Sequence, residues 1–471
     1  MWTEVVVDAA LDSGTDEVLG AVDALEVVYC QTWQYDDAPR RLAERLGIDP
    51  ALRYYSGIGG TTPQQLVNRA AERILAGDLD VVVVTSAEAL ATQAAAKKQG
   101  ERRTYSFPPA EKRGFPWEAP FHPSEVAHDL FQAWLQFALF DNARRAHLGI
   151  ALDDYRTQLG ELFSPMTEIA AEHPDAWFPT VRSVDDIVRA RPDNRMVGYP
   201  YTKYMMAVMD VDMAAAVVVA SAEAADRLRV PDDARVYLRG WCYATDPVYV
   251  AEHAELHASP AMRAVFGESL RRAAATVDDI AHFDLYSCFG SSLNLARDAL
   301  GLTANDVRPV TVTGGLPYHG GPGSGYMTHS IASMVRVLRD ASDPAALGMT
   351  TGVGMANTKH VAGIWSTARG APRPPDTAAV DATLPPPVPI VERHDGPATV
   401  AAYSVVHERD GEPSWGVLVC DVPGGRCYAR LEDPETLRDA EVDELVGTTV
   451  MLRAEPHETP LGEGVRHVAT H

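Results

Sequence analysis

The order of turn, helix and strand occurs twice in this chain, and it constrains the fold more than any other feature of the sequence. In the first occurrence, a turn of small residues at 57–62 precedes a predicted helix at 63–76, and a predicted strand follows at 80–85. Pro63 stands at the first helical position, where its missing N–H costs nothing. The β-branched run at 81–84 is typical of a strand that is buried on both faces.

The second occurrence lies far along the chain. A predicted strand at 310–313 leads into a glycine-rich turn, a helix near 327–339 and a strand near 349–354. Two strand–helix–strand units at this separation predict two related α/β halves rather than a short-period repeat.

The rest of the chain divides by composition. Prolines interrupt residues 100–195, which predicts a large insertion that covers the site, with one long helix near 125–148. Proline-rich residues 371–390 predict a stiff linker. Five short strands are predicted beyond it, at 398–407, 415–420, 426–431, 448–454 and 465–469. They indicate a small β-barrel of the oligonucleotide/oligosaccharide-binding (OB) type. The predicted domains are therefore 1–225, 226–370 and 391–471.

Composition narrows the possible functions. With 65 acidic against 41 basic residues the formal charge is −24, which disfavours non-specific nucleic-acid binding but does not exclude CoA in a local basic patch. Five scattered cysteines without a Cys-x-x-Cys pair predict reduced thiols in a cytoplasmic protein, and no metal site is predicted. No apolar run reaches the roughly 20 residues of a membrane-spanning helix, and no secretory signal is evident in residues 1–30.

Several motifs together resemble one protein family. They are Asn194-Arg195-Met196, Pro200-Tyr201-Thr202-Lys203, Asp284-Leu285-Tyr286-Ser287-Cys288-Phe289, the glycine-rich stretch at 311–326, and Thr358-Lys359-His360. On these motifs the chain resembles the thiolase superfamily. It most resembles the thiolase-like proteins of type 1, which are often labelled acetyl-CoA acetyltransferases and carry an additional C-terminal domain.

The resemblance extends over nearly all of residues 1–370. It implies a thiolase fold, in which two five-stranded α/β halves pack as a five-layer αβαβα sandwich, followed here by the small β-barrel. It also implies a first strand ahead of the helix that residues 2–11 match. This chain begins after that strand, which is expected at the centre of the first sheet, so either the sequence starts late or the first half is built differently.

The resemblance also assigns site positions, and several of them carry unusual residues. A thiolase uses a nucleophilic cysteine at a helix N-terminus, where the helix dipole and backbone N–H groups lower the pKa of the thiol. That position falls near Thr61, and no cysteine lies between residues 31 and 241. The Gly-His-Pro motif, whose histidine helps to hold the thioester oxygen, falls on Gly320-Gly321-Pro322, so Gly321 replaces the histidine.

A second set of positions surrounds Cys288. In sterol-carrier-protein-type thiolases the matching motif is His-Asp-Cys-Phe, so the acid/base cysteine is retained as Cys288 while Tyr286 and Ser287 replace its neighbours. The water-holding asparagine that follows falls on Ser292. Tyr286 also resembles the tyrosine of thiolase-fold aldolases that shorten acyl-CoA side chains, since a phenol can exchange a proton during retro-aldol cleavage. Plain packing is the alternative for Cys288 and Tyr286.

Two histidines and three glycines complete the candidate site. His319, two residues before the lost histidine, is predicted to reach the same cavity, and His360 lies where thiolases carry a further catalytic cysteine. Structural hydrogen bonding is the alternative for both. Gly320, Gly321 and Gly323 are predicted to admit a pantetheine arm, with no permanently bound cofactor.

Three functions remain open on this sequence. The first is a protein of acyltransferase ancestry that binds CoA or an acyl-CoA thioester without the usual Claisen chemistry. The second is a retro-aldolase that acts on a 3-hydroxyacyl-CoA through Tyr286. The third is a non-catalytic scaffold whose C-terminal barrel recruits another protein, and a homodimer is the other expected assembly.

Overall fold

The structure is a computed structural model that describes residues 1–116 and 121–470. Its α-helices are α1 (Trp2–Asp12), α2 (Ala38–Leu46), α3 (Thr62–Leu75), α4 (Leu90–Lys98), α5 (Pro123–Ala127), α6 (Ala133–His147), α7 (Leu152–Glu172), α8 (Val184–Val188), α9 (Ala222–Arg227), α10 (Pro260–Ala273), α11 (Gly290–Leu300), α12 (Tyr326–Asp340), α13 (Thr377–Asp381) and α14 (Pro434–Asp439). None of these helices is both long and apolar enough to cross a membrane.

The strands fall into two core sheets and a barrel. They are β1 (Ala24–Val27), β2 (Leu52–Tyr55), β3 (Val81–Ala89), β4 (Met196–Gly198), β5 (Tyr201–Thr202), β6 (Asp212–Ala220), β7 (Tyr237–Thr245), β8 (Ile280–Asp284), β9 (Leu347–Gly354), β10 (Lys359–Ser366), β11 (Gly396–His407), β12 (Pro413–Val422), β13 (Gly425–Leu431), β14 (Thr449–Thr459) and β15 (Gly462–Thr470).

Helices separate and cover the two core sheets. The strand order is β2-β1-β3-β6 in the first sheet and β8-β9-β10-β7 in the second. Helices α3 and α12 pack between the sheets, α1 and α2 cover the outer face of the first, and α10 with α11 lies outside the second. This five-layer arrangement confirms the predicted thiolase fold. The expectation of five strands in each half was wrong for the described residues, because each core sheet has four.

The first sheet has no vacant position at its centre. β1 pairs in parallel with β2 on one side and with β3 on the other, and β6 pairs antiparallel with β3. The prediction that a further strand belongs at the centre of this sheet was wrong, because both edges of β1 already carry hydrogen-bonded neighbours. The edge of β6 that faces away from β3 carries no strand among the described residues.

In the second sheet the corresponding edge is covered. β10 pairs antiparallel with β9 and, on its other side, antiparallel with β7. The strand predicted at 310–313 does not form. Its backbone is used differently, since the N–H of Val312 donates to the Asp284 carboxylate at 3.1 Å and that of Thr313 donates to the Thr311 hydroxyl at 3.1 Å.

The helices that position the site agree closely with the sequence pattern. α3 begins at Thr62, one residue before Pro63, and α12 extends the predicted 327–339 by one residue at each end. The single long helix predicted near 125–148 was wrong. α5 ends at Ala127, Asp129 adopts a left-handed φ of 58°, and α6 begins at Ala133. A left-handed residue interrupts the helical hydrogen-bond ladder. Residues 117–120 of the predicted insertion lie outside the described residues.

The C-terminal strands form the predicted closed barrel. Their order is β12-β13-β15-β14-β11, and β11 pairs back to β12. The barrel is fixed to the core, because Val406 pairs with Gly198 of β4 and Arg145 of α6 lies 2.6 Å from the carboxylate of Glu444. The proline-rich linker is also held, since the N–H of Asp376 donates to Glu268 at 2.8 Å.

Candidate functional site

A buried carboxylate holds the glycine-rich loop between the two halves. We call residues 311–325 the glycine loop. Asp284, at the end of β8, is fully buried and accepts hydrogen bonds from the hydroxyls of Thr311 (2.6 Å), Thr313 (3.2 Å) and Tyr326 (3.0 Å). It also accepts from the N–H of Val312. A full set of acceptor contacts satisfies the buried charge and fixes the entry of the loop.

The next turn of the loop rests on Ser287. The Ser287 hydroxyl accepts from the N–H of Leu316 at 3.2 Å, and a Cβ on Gly315 would lie 2.3 Å from the same oxygen. Gly315 also has a φ of 76°, which other residues rarely adopt. This glycine is therefore required by both the backbone conformation and the close approach of Ser287.

Tyr286 reaches across the cleft to the start of α3. A Cβ on Gly60 would lie 2.2 Å from the Tyr286 hydroxyl, so the phenol rests directly on the turn before the helix. Tyr286 is 5% exposed, and its hydroxyl makes no hydrogen bond with the described residues. Burial raises the pKa of the phenol well above 10, with a smaller contribution from Cys288. At neutral pH this group is a proton donor.

Thr61 stands beside it at the N-terminus of α3. Its hydroxyl accepts a hydrogen bond from Gln65 Nε2 at 2.9 Å, and a Cβ on Gly354 would lie 3.4 Å from the same hydroxyl. Thr61 is 1% exposed. A buried hydroxyl whose side-chain partner is an amide lacks the base that would activate it.

Cys288 lies between β8 and α11 and remains a thiol. Its sulfur donates to Ser292 Oγ at 3.5 Å, and that hydroxyl in turn donates to the carbonyl of Phe289 at 2.9 Å. Burial raises the pKa of the Cys288 thiol to about 12, and the contact with Ser292 offsets only part of this. The structure thus brings Cys288, Ser292 and Tyr286 together, but the sulfur of Cys288 remains a thiol rather than a thiolate.

The three candidate glycines of the loop differ in the space around them. A Cβ on Gly320 would lie 2.6 Å from the Met213 sulfur, and one on Gly323 would lie 2.7 Å from Glu88 Oε1. A Cβ on Gly321 would meet nothing closer than 3.4 Å. A Cβ therefore fits at Gly321 in ordinary van der Waals contact, whereas one at Gly320 or Gly323 would clash.

The two candidate histidines have different neighbours. The ring of His319 is fully buried 4.7 Å from that of His173, and both its nitrogens lack a partner among the described residues. Burial lowers its pKa well below 6.5, and His329 and His173 add to this. His360 Nε2 lies 3.1 Å from Asp246 and 3.0 Å from the carbonyl of Asn357. Functional roles for both histidines stay predictions.

Glu88 is a site residue that sequence reasoning missed. This carboxylate lies at the end of β3, is 3% exposed, and accepts from the backbone N–H groups of Gln31 (2.7 Å) and Thr32 (2.9 Å). Burial raises its pKa, while these hydrogen bonds lower it. The sequence could have indicated Glu88, because it lies at the end of a buried strand, and α/β proteins often bind ligands at the carboxyl ends of such strands.

Asn357 was also missed. It adopts a φ of 51° in the turn between β9 and β10, and its amide donates to Ser291 Oγ at 3.4 Å, while its own oxygen is buried without a partner among the described residues. Asparagine tolerates this conformation better than most residues, so a turn was predictable but the contact was not. Within residues 1–116 and 121–470, no three His, Cys, Asp or Glu side chains are arranged to hold a metal ion.

Comparisons with known proteins agree with this architecture. The sequence matches no protein-family model and no curated protein. The solved structure of a monomeric SCP2-thiolase-like protein type 1 from Mycobacterium smegmatis has a TM-score of 0.84 and 31% identity, over 100% of this chain and 95% of that one. The structure of an Ltp2–ChsH2(DUF35) aldolase has a TM-score of 0.60 and 19% identity, over 79% of this chain and 93% of that one, and it shares the fold. The chain therefore belongs to the SCP2-thiolase-like proteins of type 1.

Proposed function

We propose that this protein binds CoA thioesters in the cleft between the start of α3 and the glycine loop, without Claisen condensation or thiolysis. One observation carries the proposal. The resemblance assigns the nucleophile position to Thr61, and burial raises the pKa of the cysteine assigned to the site, Cys288, to about 12. Because the thiolate is the nucleophile, burial keeps this cysteine in its unreactive thiol form at neutral pH.

Several features support binding even though the nucleophile is missing. The N-terminus of α3 lies beside the Tyr286 hydroxyl, and the positive end of a helix dipole suits a thioester oxygen or a phosphate. Gly59 N donates to Ser324 Oγ at 3.0 Å, so the glycine loop and the turn before α3 are held as one surface. These features suit a pantetheine arm that lies along the backbone.

The test combines binding with a search for chemistry. Acetyl-CoA is expected to slow hydrogen exchange in residues 57–62 and 320–325, while intact-protein mass spectrometry shows no acyl adduct and acetoacetyl-CoA is not cleaved in the presence of CoA. Cys288→Ala is the control and should bind equally well. A stoichiometric adduct that this variant loses, or CoA-dependent cleavage, would contradict the proposal.

The Tyr286 hydroxyl favours a second candidate, retro-aldol cleavage of a 3-hydroxyacyl-CoA. The phenol is protonated and lies at the start of α3 without a hydrogen-bond partner among the described residues. The bond between the α and β carbons breaks as the β-hydroxyl becomes a carbonyl and gives its proton to the phenol oxygen, while the phenol proton passes to the α carbon, so that the phenol is regenerated. Tyr286→Phe should abolish release of the aldehyde or ketone. Tyr318→Phe, which removes another buried phenol of the glycine loop, should not. Equal turnover in both variants would remove this mechanism.

A further inference from the structure

Two of the five cysteines face each other across a hairpin of the C-terminal barrel. Cys420 of β12 and Cys427 of β13 are directly opposite residues in the antiparallel pairing of these two strands. All five cysteines are free thiols in the structure. The other three, Cys30, Cys242 and Cys288, have no cysteine opposite them among the described strands. The fold therefore pairs two thiols whose spacing in the sequence carries no recognisable motif.

The side chains of both cysteines point to the same side of the hairpin. Cys420 and Cys427 belong to the hydrophobic cluster formed mainly by the barrel strands, whereas the next pair, Val419 and Tyr428, belongs to the cluster of the core. Directly opposite residues of an antiparallel pair have Cα atoms roughly 4.5–5.5 Å apart. A disulfide spans Cα separations of roughly 4.4–6.8 Å. The register thus places the two thiols where a disulfide can join them.

The pair of thiols lies close to the end of the hairpin. Two further residue pairs separate it from the exposed turn at Pro423 and Gly424. Opening these two pairs brings the thiols to solvent while the rest of the barrel stays folded. Burial raises the pKa of Cys427 to about 12 and that of Cys420 well above 9. Both sulfurs therefore stay thiols in the closed hairpin, and their chemistry proceeds through the opened end.

The same end of the hairpin holds the proline-rich linker and the core. The N–H of Arg426 donates to the carbonyl of Pro389 at 2.9 Å, and the N–H of Val391 donates to the carbonyl of Arg426 at 2.7 Å. The Arg426 guanidinium also donates to the carbonyl of His253 in the second half. Hairpin, linker and core therefore meet at the residue next to Cys427, so a bond that closes the hairpin also stabilises this junction.

We propose that Cys420 and Cys427 are a redox-reactive pair, which a peroxide converts to a disulfide that fastens the end of the hairpin where the linker is held. One thiol attacks a peroxide oxygen, the O–O bond breaks, and a sulfenic acid and one water form. The second thiol attacks the sulfenic sulfur, so that the S–S bond forms and the S–O bond breaks with loss of a second water. Two electrons pass from the thiols to the peroxide. This site is separate from the proposed CoA cleft and does not depend on it.

The experiment exploits Arg426, which lies between the two cysteines. Trypsin separates residues 410–426 from residues 427–430, so only a disulfide holds these two peptides together. The native protein is treated with hydrogen peroxide, quenched with catalase, unfolded and alkylated with iodoacetamide. We expect the two peptides to be joined, the intact protein to lose two hydrogens, and three of the five cysteines to be alkylated. Dithiothreitol should restore alkylation of all five.

Three variants show whether this pair is the one that reacts. Cys420→Ala and Cys427→Ala should each leave four cysteines open to alkylation and give no joined peptides. Cys242→Ala, which removes another fully buried thiol of a strand, should leave the joined peptides unchanged. The proposal is overturned if all five thiols of the wild type remain open to alkylation, or if peroxide adds oxygen to the cysteines without joining the two peptides.

Hydrogen exchange measures the effect on the junction. The amides of Val391 and Arg426 should exchange about tenfold more slowly in the oxidised protein than in the reduced one, because opening of the hairpin end is restrained. The hairpin that ends at Thr459 and Gly462 contains no cysteine and should exchange equally in both states. A disulfide that leaves the exchange of Val391 unchanged would contradict the proposal, since the bond would then fasten nothing at the linker.

Discussion

Two helices begin at the same cleft, α3 in the first half and α11 in the second, and only the second has a cysteine beside it. A helix N-terminus contributes typically 0.3–1 kcal/mol toward a nearby negative charge. Burial acts against this, since a thiol that titrates near 12 instead of 9 is harder to ionise by about 4 kcal/mol. We therefore expect Cys288 to be unreactive although it lies beside a helix N-terminus, because burial raises its pKa by more than the helix end lowers it.

The largest expected effect concerns Cys288 itself. At pH 7.5 its alkylation by iodoacetamide should be at least about 1000-fold slower than that of a small free thiol, because so little thiolate is present. The rate should rise about tenfold per pH unit, without a plateau below pH 10. Mass spectrometry of the Cys288 peptide measures this rate. A plateau near pH 8 would show that the helix N-terminus lowers the pKa of the thiol by more than burial raises it.

The second prediction concerns the hydrogen bonds by which Asp284 holds the glycine loop. Asp284→Ala leaves the hydroxyls of Thr311, Thr313 and Tyr326 without their buried acceptor, and the free energy of unfolding should fall by about 4 kcal/mol. Asp278→Ala, at an exposed position, should change it by less than about 0.5 kcal/mol. Urea unfolding curves give both values, and equal effects would mean that the loop does not depend on Asp284.

The sequence predicted the parts of the fold that depend on local patterns. α3 and α12 follow from a proline start and from helical spacing, and the barrel follows from short strands between turns. The thiolase motifs located Tyr286 and Cys288, but their pKa shifts arise from burial by segments far apart in the chain. Glu88 was missed for the same reason, because its partners lie more than fifty residues away. The order of the strands in the first sheet depends on contacts between distant segments, which no local pattern records.

The third prediction extends the comparison to the contact between barrel and core. Glu125 of α5 lies 3.0 Å from the Tyr428 hydroxyl of β13, and burial raises its pKa to about 7. The folded state therefore holds a proton that the unfolded state releases near pH 4.5. The bound proton on Glu125 therefore stabilises the folded state fully below pH 4.5. This stabilisation is lost as the pH rises through 7, and the free energy of unfolding falls by about 3 kcal/mol.

Glu125→Gln isolates this effect because glutamine keeps the shape of the side chain but does not titrate. The difference in the free energy of unfolding between wild type and variant should change steadily between pH 4.5 and 7 and stay constant above about 8. Denaturant curves at several pH values measure it. A difference that does not vary with pH would mean that burial does not raise the pKa of Glu125.

The smallest expected effect tests whether the phenol rests on the start of α3. Gly60→Ala would place a Cβ 2.2 Å from both the Tyr286 hydroxyl and the carbonyl of Val353, and the free energy of unfolding should fall by about 2 kcal/mol. Gly267→Ala, a helical position with open space, should instead stabilise the protein slightly. Adding Tyr286→Phe to Gly60→Ala should recover part of the loss, since one of the two clashes is removed. Additive effects of the two substitutions would show that the side chains do not touch, and the phenol could then not serve at the start of α3.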